Sequence, residues 1–213
     1  MAQPSAIETW RVGELEVRIV DGHAELPDDV VDESGTLPEG AFRGCSSLTS
    51  LMMPTSLEEI GPCAFWGCSS LKSLSIPSSC GTIGECAFWD CTALASVNIP
   101  SSVRKIGPQA FGNCSALTSL SISASVTSIS FGAFEGCTSL TSVEIPASAT
   151  EIATGAFAYC TSLSAVSIPP SVDRIYYDAF KECALLKSVT IPAAVRLRDD
   201  AYPFPSHTVV TRA

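Results

Sequence analysis

Seven phenylalanines, Phe42, Phe65, Phe88, Phe111, Phe134, Phe157 and Phe180, stand 23 residues apart, and seven cysteines, Cys45, Cys68, Cys91, Cys114, Cys137, Cys160 and Cys183, follow them in step. A fixed period of this length marks a stack of like coils, because one such unit cannot bury its own apolar face and needs neighbours to cover it. The period runs unbroken from Leu37 to Pro192 in a chain of 213 residues, so one elongated body is expected. The chain then divides into an acidic hairpin cap and connector at 1–36, seven 23-residue repeats at 37–195, and a C-terminal cap at 196–213.

Each repeat reads as three pieces. In the fifth, Leu140, Val143 and Ile145 end in strand spacing and Pro146 stops pairing by lacking an N–H, which predicts one short strand. The same triplet recurs every 23 residues, so the strands must run parallel. A loop follows, carrying Val126 and Ile129 or their equivalents. The third piece, Ala-Phe-x-x-Cys-x-x-Leu, places Ala133, Cys137 and Leu140 at i, i+4 and i+7, which predicts one or two helical turns with the Phe and Cys ladders facing inward. Pro62 and Pro108 stand where a first helical turn tolerates a missing donor.

The ends differ from the array. Leu15 to Val20 alternates like a half-buried strand, and Asp21-Gly22 predicts a tight turn back into Ala24 to Leu26, a lid for the first coil's open edge. His207 to Thr211 reads as a closing strand. Residues 1–40 hold ten acidic side chains against Arg11 and Arg18, a balance that argues against a nucleic-acid partner. The N-terminal sequence has no basic region followed by an apolar run, and no apolar stretch reaches about 18 residues, so a cytoplasmic protein without membrane insertion is expected.

The motif L-x-x-V-x-I-P-x-S, within the fuller SxxSIGxxAFxGCxSLxSVxIP, resembles the BspA-like subclass of the leucine-rich repeat family over residues 37–195. That resemblance implies an α/β repeat solenoid, a right-handed coil with short parallel strands on one face and short helical or 3-10 turns on the other. It also implies a surface-adhesion and protein-binding scaffold with no shared catalytic site. Where the wider family has Asn or Cys at the ninth strand position, this chain has Ser56, Ser79, Ser102, Ser125, Ser148 and Ser171. A serine ladder is expected there, its hydroxyls bonding loop backbone of the same or the next coil.

Candidate binding residues fall into two groups. Trp66 and Trp89 follow the buried Phe in consecutive repeats, at a position that elsewhere holds Arg43, Glu135 or Lys181 and so faces outward; together they predict an aromatic patch. Met52, Asn98 and Glu144 flank the buried strand residue and are expected on the sheet face among serines such as Ser73, Ser75 and Ser96. Cys63 and Cys86 also lie 23 apart, at a separation a disulfide spans, while the C-x4-C spacing of Cys63, Cys68, Cys86 and Cys91 does not bring four thiolates together, since Cys68 and Cys91 point inward. His23 and His207 lie in opposite caps, which leaves no Ser-His-Asp or Cys-His arrangement, and no nucleotide or zinc motif occurs. The sequence therefore predicts a non-enzymatic protein-protein interaction scaffold without cofactor or metal, whose protein partner it does not name. The competing expectation is a cell-surface adhesin, or a carbohydrate- or ice-binding surface.

Overall fold

The structure, a computed structural model, describes residues 5–197 and 202–213. Each coil has three sides. On the sheet side the strands Ser50–Met52, Ser73–Ser75, Ser96–Asn98, Ser119–Ser121, Ser142–Glu144, Ala165–Ser167 and Ser188–Ile191 run parallel at the repeat period, with Ser73 opposite Ser96 and Ser96 opposite Ser119. Their middle residues turn inward and the flanking ones outward, as the period-2 alternation of a strand requires. On the loop side, two-residue strands form two parallel four-stranded ribbons, Thr36–Leu37 to Lys105–Ile106 and Ser128–Ile129 to Arg196–Leu197, each strand contributing an inward Ile or Leu such as Ile60, Ile106 and Ile152.

The third side corrects the sequence reading. The helical turns expected over Ala-Phe-x-x-Cys do not form; among the described residues the one helical segment is the 3-10 turn Asp28–Val30, in the connector. In the repeats the backbone splits its donors instead. In the second coil the N–H groups of Cys63, Phe65 and Gly67 donate to Glu85, Ala87 and Trp89 of the next coil, while those of Ala64, Trp66 and Cys68 donate three residues back. Two positions per coil impose this alternation through left-handed φ: Cys63 and Cys86 (55° and 51°), in register with Gly40, Gln109, Gly132, Gly155 and Asp178, and four residues later Gly67, Asp90 and Asn113. A residue at positive φ breaks the i to i−4 ladder, so the i, i+4, i+7 spacing here reflects tight turns and not a helix. Pro62 and Pro108 accordingly sit in turns, their carbonyls accepting from Gly40 and Cys86 of the preceding coils.

Inside, the seven Phe rings form one column, centroids 5.1 to 5.6 Å apart and within 11° of parallel. Phe204 extends it from the C-terminal cap, 5.2 Å from Phe180, a member that the decaying sequence pattern hid. The cysteine ladder lies beside it: Cys68, Cys91, Cys114, Cys137, Cys160 and Cys183 each aim Sγ at the carbonyl of the Phe in the preceding coil, at 3.1 to 3.4 Å. Each such carbonyl also accepts the N–H of its own coil's cysteine. The serine ladder is made of uneven contacts: Ser79, Ser125 and Ser148 donate to backbone carbonyls of the preceding coil, Ser56 to Asp28, and the hydroxyls of Ser102 and Ser171 are buried without a partner.

Both ends of the sheet are closed by strands. Ile7–Val12 pairs antiparallel with Leu15–Val20, which turns through Asp21-Gly22 into His23–Glu25, and this last strand lies parallel to Ser50–Met52. The first of these was not legible in the sequence; its Trp10 Nε1 donates to Ala41 O at 2.8 Å and ties the lid to the first coil. At the other end Val209–Arg212 pairs parallel with Ser188–Ile191, in the expected segment.

Because Phe111 stacks on both sides and is fully buried, Phe111→Ala is expected to cost about 3 to 5 kcal/mol in denaturant unfolding, more than the same change at Phe42, which has one stacking partner. Far-ultraviolet circular dichroism is expected to lack a helical double minimum.

Candidate functional site

The residue after the ladder Phe packs along the coil axis in the first four coils, while in the seventh Lys181 pairs with Asp178 of its own coil and in the sixth Ala158 is buried. Arg43, Trp66, Trp89 and Gly112 occupy this position in four successive coils. The Arg43 guanidinium lies over the Trp66 ring at 4.6 Å from its centroid, and Trp66 meets Trp89 at 6.3 Å with planes tilted by 52°. Trp89 fills the space a side chain would need at Gly112, where an added Cβ would stand 2.1 Å from its Cε3. Gly112 thus makes room for the second indole. Both tryptophans remain half-buried.

The other predicted residues lie elsewhere. Met52, Asn98 and Glu144 are exposed on the sheet side in the first, third and fifth coils, two coil steps or about 10 Å apart. The sequence-predicted set is therefore two surfaces on different sides of the coil. Met52, 66% exposed, borders a cleft of 640 Å³ formed with Val20, His23 and Ser50 where the lid meets the first coil. His23 Nδ1 lies 2.5 Å from Ser50 Oγ, a contact that sequence distance concealed because parallel pairing sets the two residues side by side. Among the described residues the other ring nitrogen makes no bond to a carboxylate, so the pair lacks the orienting acid of a Ser-His-Asp arrangement.

The cysteines divide by environment. Burial pushes the thiols of Cys68, Cys91, Cys114 and Cys183 up, Cys91 to about 12, so they remain neutral donors to the Phe carbonyls. Cys63 is half-buried beside Cys86, and all ten cysteines are free. Asn113, within the sequon Asn113-Cys114-Ser115, gives its amide to Asp90 Oδ1 at 2.9 Å and is followed by the fully buried Cys114.

Geometry and motif agree with the comparisons. The BspA type leucine rich repeat region matches in six copies, over residues 30–137 and 82–203, and the chain belongs to this family. A leucine-rich repeat protein of Bacteroides ovatus superposes over 100% of this chain and 67% of its own length, at 22% identity and a TM-score of 0.63. The leucine rich repeat protein of T. pallidum aligns with 79% of this chain and 82% of its own length, at 27% identity and 0.68. A leucine rich cell surface protein of Faecalibacterium prausnitzii covers 89% of this chain and 59% of its own length, at 24% and 0.54. At such identities the first and third show the fold alone. No curated protein matches the sequence. The cytoplasmic placement expected from the N-terminal sequence gains no support from these relatives. No described helix is long and apolar enough to cross a membrane.

The thiol environments have a pH consequence. A folded-state pKa raised above the ordinary 9.0 gives stability that is complete below that value and is lost as pH rises, since the unfolded chain then releases thiol protons that the fold retains. Unfolding midpoints are expected to hold steady up to about pH 8.5 and to fall progressively toward the folded values, about 11 for Cys86 and about 12 for Cys91. A native-state thiol titration at pH 8 is expected to label Cys63 first and the ladder cysteines only on unfolding.

Proposed function

We propose that the chain is a non-enzymatic protein-binding scaffold and that the Trp66–Trp89 pair is its anchor. One observation carries the reading. The same outward position holds Gly, Glu, Ala or Lys in later coils, yet in two adjacent coils it holds the largest side chains, kept half-buried by Arg43 on one side and Gly112 on the other. Tryptophans held in place before binding lose little entropy on association and are among the residues that dominate the energetics of protein interfaces. Family membership supports the class of function.

The reading is tested by quantitative capture from surface and soluble fractions of the source cell with wild type and a Trp66→Ser/Trp89→Ser variant matched in thermal stability. A protein retained by wild type and depleted about tenfold or more by the variant is the expected result, corresponding to the loss of one hot spot. Equal recovery by both baits would remove the pair from the interface and leave the sheet face of Met52, Asn98 and Glu144 as the surface to alter.

A further inference from the structure

The turn side carries more than the tryptophan pair. Among the described residues the exposed aromatic side chains are Phe131, Tyr159, Tyr177 and Tyr202. The first three lie on the turn side, and Tyr202 precedes Pro203, whose carbonyl accepts the Phe180 N–H on that same side. They are 48%, 43% and 51% exposed at Phe131, Tyr159 and Tyr177, in sequence positions whose register the ladder fixes. Gly155 N–H donates to the Tyr177 carbonyl and Tyr159 N–H to the Lys181 carbonyl, so residues before and after the ladder Phe stand on neighbouring rungs of the same turn side.

That surface is acidic. From three residues before each ladder Phe to two after it, the seven coils present Glu39, Glu85, Asp90, Glu135, Asp178 and Glu182 against only Arg43 and Lys181. Lys181 is bonded to Asp178 at 2.9 Å, and among the described residues the other five carboxylates form no ion pair. An apolar peptide laid across these aromatics would strip water from carboxylates without supplying a counter-charge. A cation with a flat face satisfies both features at once.

We propose that the turn side docks an extended, arginine-rich segment of the protein partner, a proposal that rests on the scaffold reading above. Arg43 shows the chemistry inside the chain: its guanidinium stacks on Trp66 while Glu39 and Glu85 act on the same neighbourhood at Cys63. Partner arginines continue this arrangement past Trp89, where Asp90 and Glu135 follow. Guanidinium is preferred to ammonium because it stacks on rings and bonds carboxylates through a planar fork. Trp66 to Tyr177 spans five coil steps, about 25 Å at ~4.8 Å each, or about seven residues of extended chain.

The test uses the whole chain and three labelled probes, nona-arginine, nona-lysine and nona-glutamate, titrated by fluorescence anisotropy in about 0.15 M salt. Nona-arginine is expected to bind at least about tenfold tighter than nona-lysine, and Trp66→Ser/Trp89→Ser to weaken it by about tenfold. Arg43→Ala, which removes the resident guanidinium, is expected to tighten it. Glu85→Gln/Glu135→Gln keeps the aromatics and reads the charge alone: affinity is expected to fall and its salt dependence to flatten. Equal binding of the two cationic probes, undiminished in the tryptophan variant, would show general attraction to the acidic first 40 residues and overturn the proposal. So would no binding of nona-arginine at all; if the capture experiment still yields a tryptophan-dependent partner, the scaffold reading stands and only the arginine-rich occupant is lost.

Discussion

The structure depends on how the turn side uses its backbone donors. Every second N–H there reaches the next coil and the alternate ones close turns within their own, so this side is at once a chain of turns and a rung-by-rung bond between neighbours. A helix would have satisfied those donors internally and left adjacent coils joined on this side by side-chain contact alone. The alternation joins the coils on this side step by step, whereas the sheet-side ladder is interrupted after Ser50–Met52, Ser119–Ser121 and Ala165–Ser167 and the loop-side ladder after Lys105–Ile106. It also brings Phe rings into stacking distance, because ring spacing follows the spacing of the backbone beneath.

The cysteine ladder follows from the same geometry. Each Phe carbonyl that faces inward has a second lone pair in a dry interior, and a small donor with apolar bulk is the residue that fits. Sulfur at 3.1 to 3.4 Å supplies that donor with little added polarity, and burial keeps the thiol protonated. Chemistry is thereby directed away from the core. Core positions vary among apolar residues, as in Leu57, Cys80, Val103 and Ala149, while charged and large aromatic residues such as Arg43, the two tryptophans and the interspersed carboxylates stand at outward positions. A repeat fold of this kind separates the residues that specify the coil from those on its surface.

Much of this was legible in the sequence. Period and alternation revealed the coil, the parallel strands and the inward Phe and Cys columns, because each is a local pattern repeated in register, and the Asp21-Gly22 turn was legible from its dipeptide alone. The helical turns were misread since i, i+4, i+7 spacing arises equally from two tight turns four residues apart. The deciding signal was the recurring glycine of Gly40, Gly132 and Gly155 and of Gly44, Gly67 and Gly136, masked where Cys, Gln, Asp or Asn adopts the same left-handed φ. The strand Ile7–Val12, the fit of Phe204 onto the stack and the meeting of His23 with Ser50 depend on contacts made by irregular end segments, which no period encodes. The Trp66–Trp89 pair was visible as an oddity, whereas the wider acidic and aromatic surface emerged only when Phe131, Tyr159 and Tyr177 were seen on one side.

Native-state hydrogen exchange of the turn-side amides tests the central claim most directly. If alternate donors bridge coils, the N–H groups of Phe65, Phe88, Phe111, Phe134 and Phe157 exchange only on global unfolding, at one shared free energy, in step with the sheet-side amides of Leu74 and Val97. Exchange of those Phe amides by local opening, well below the free energy of the sheet side, would contradict it and leave the coils held together by the two ribbons alone.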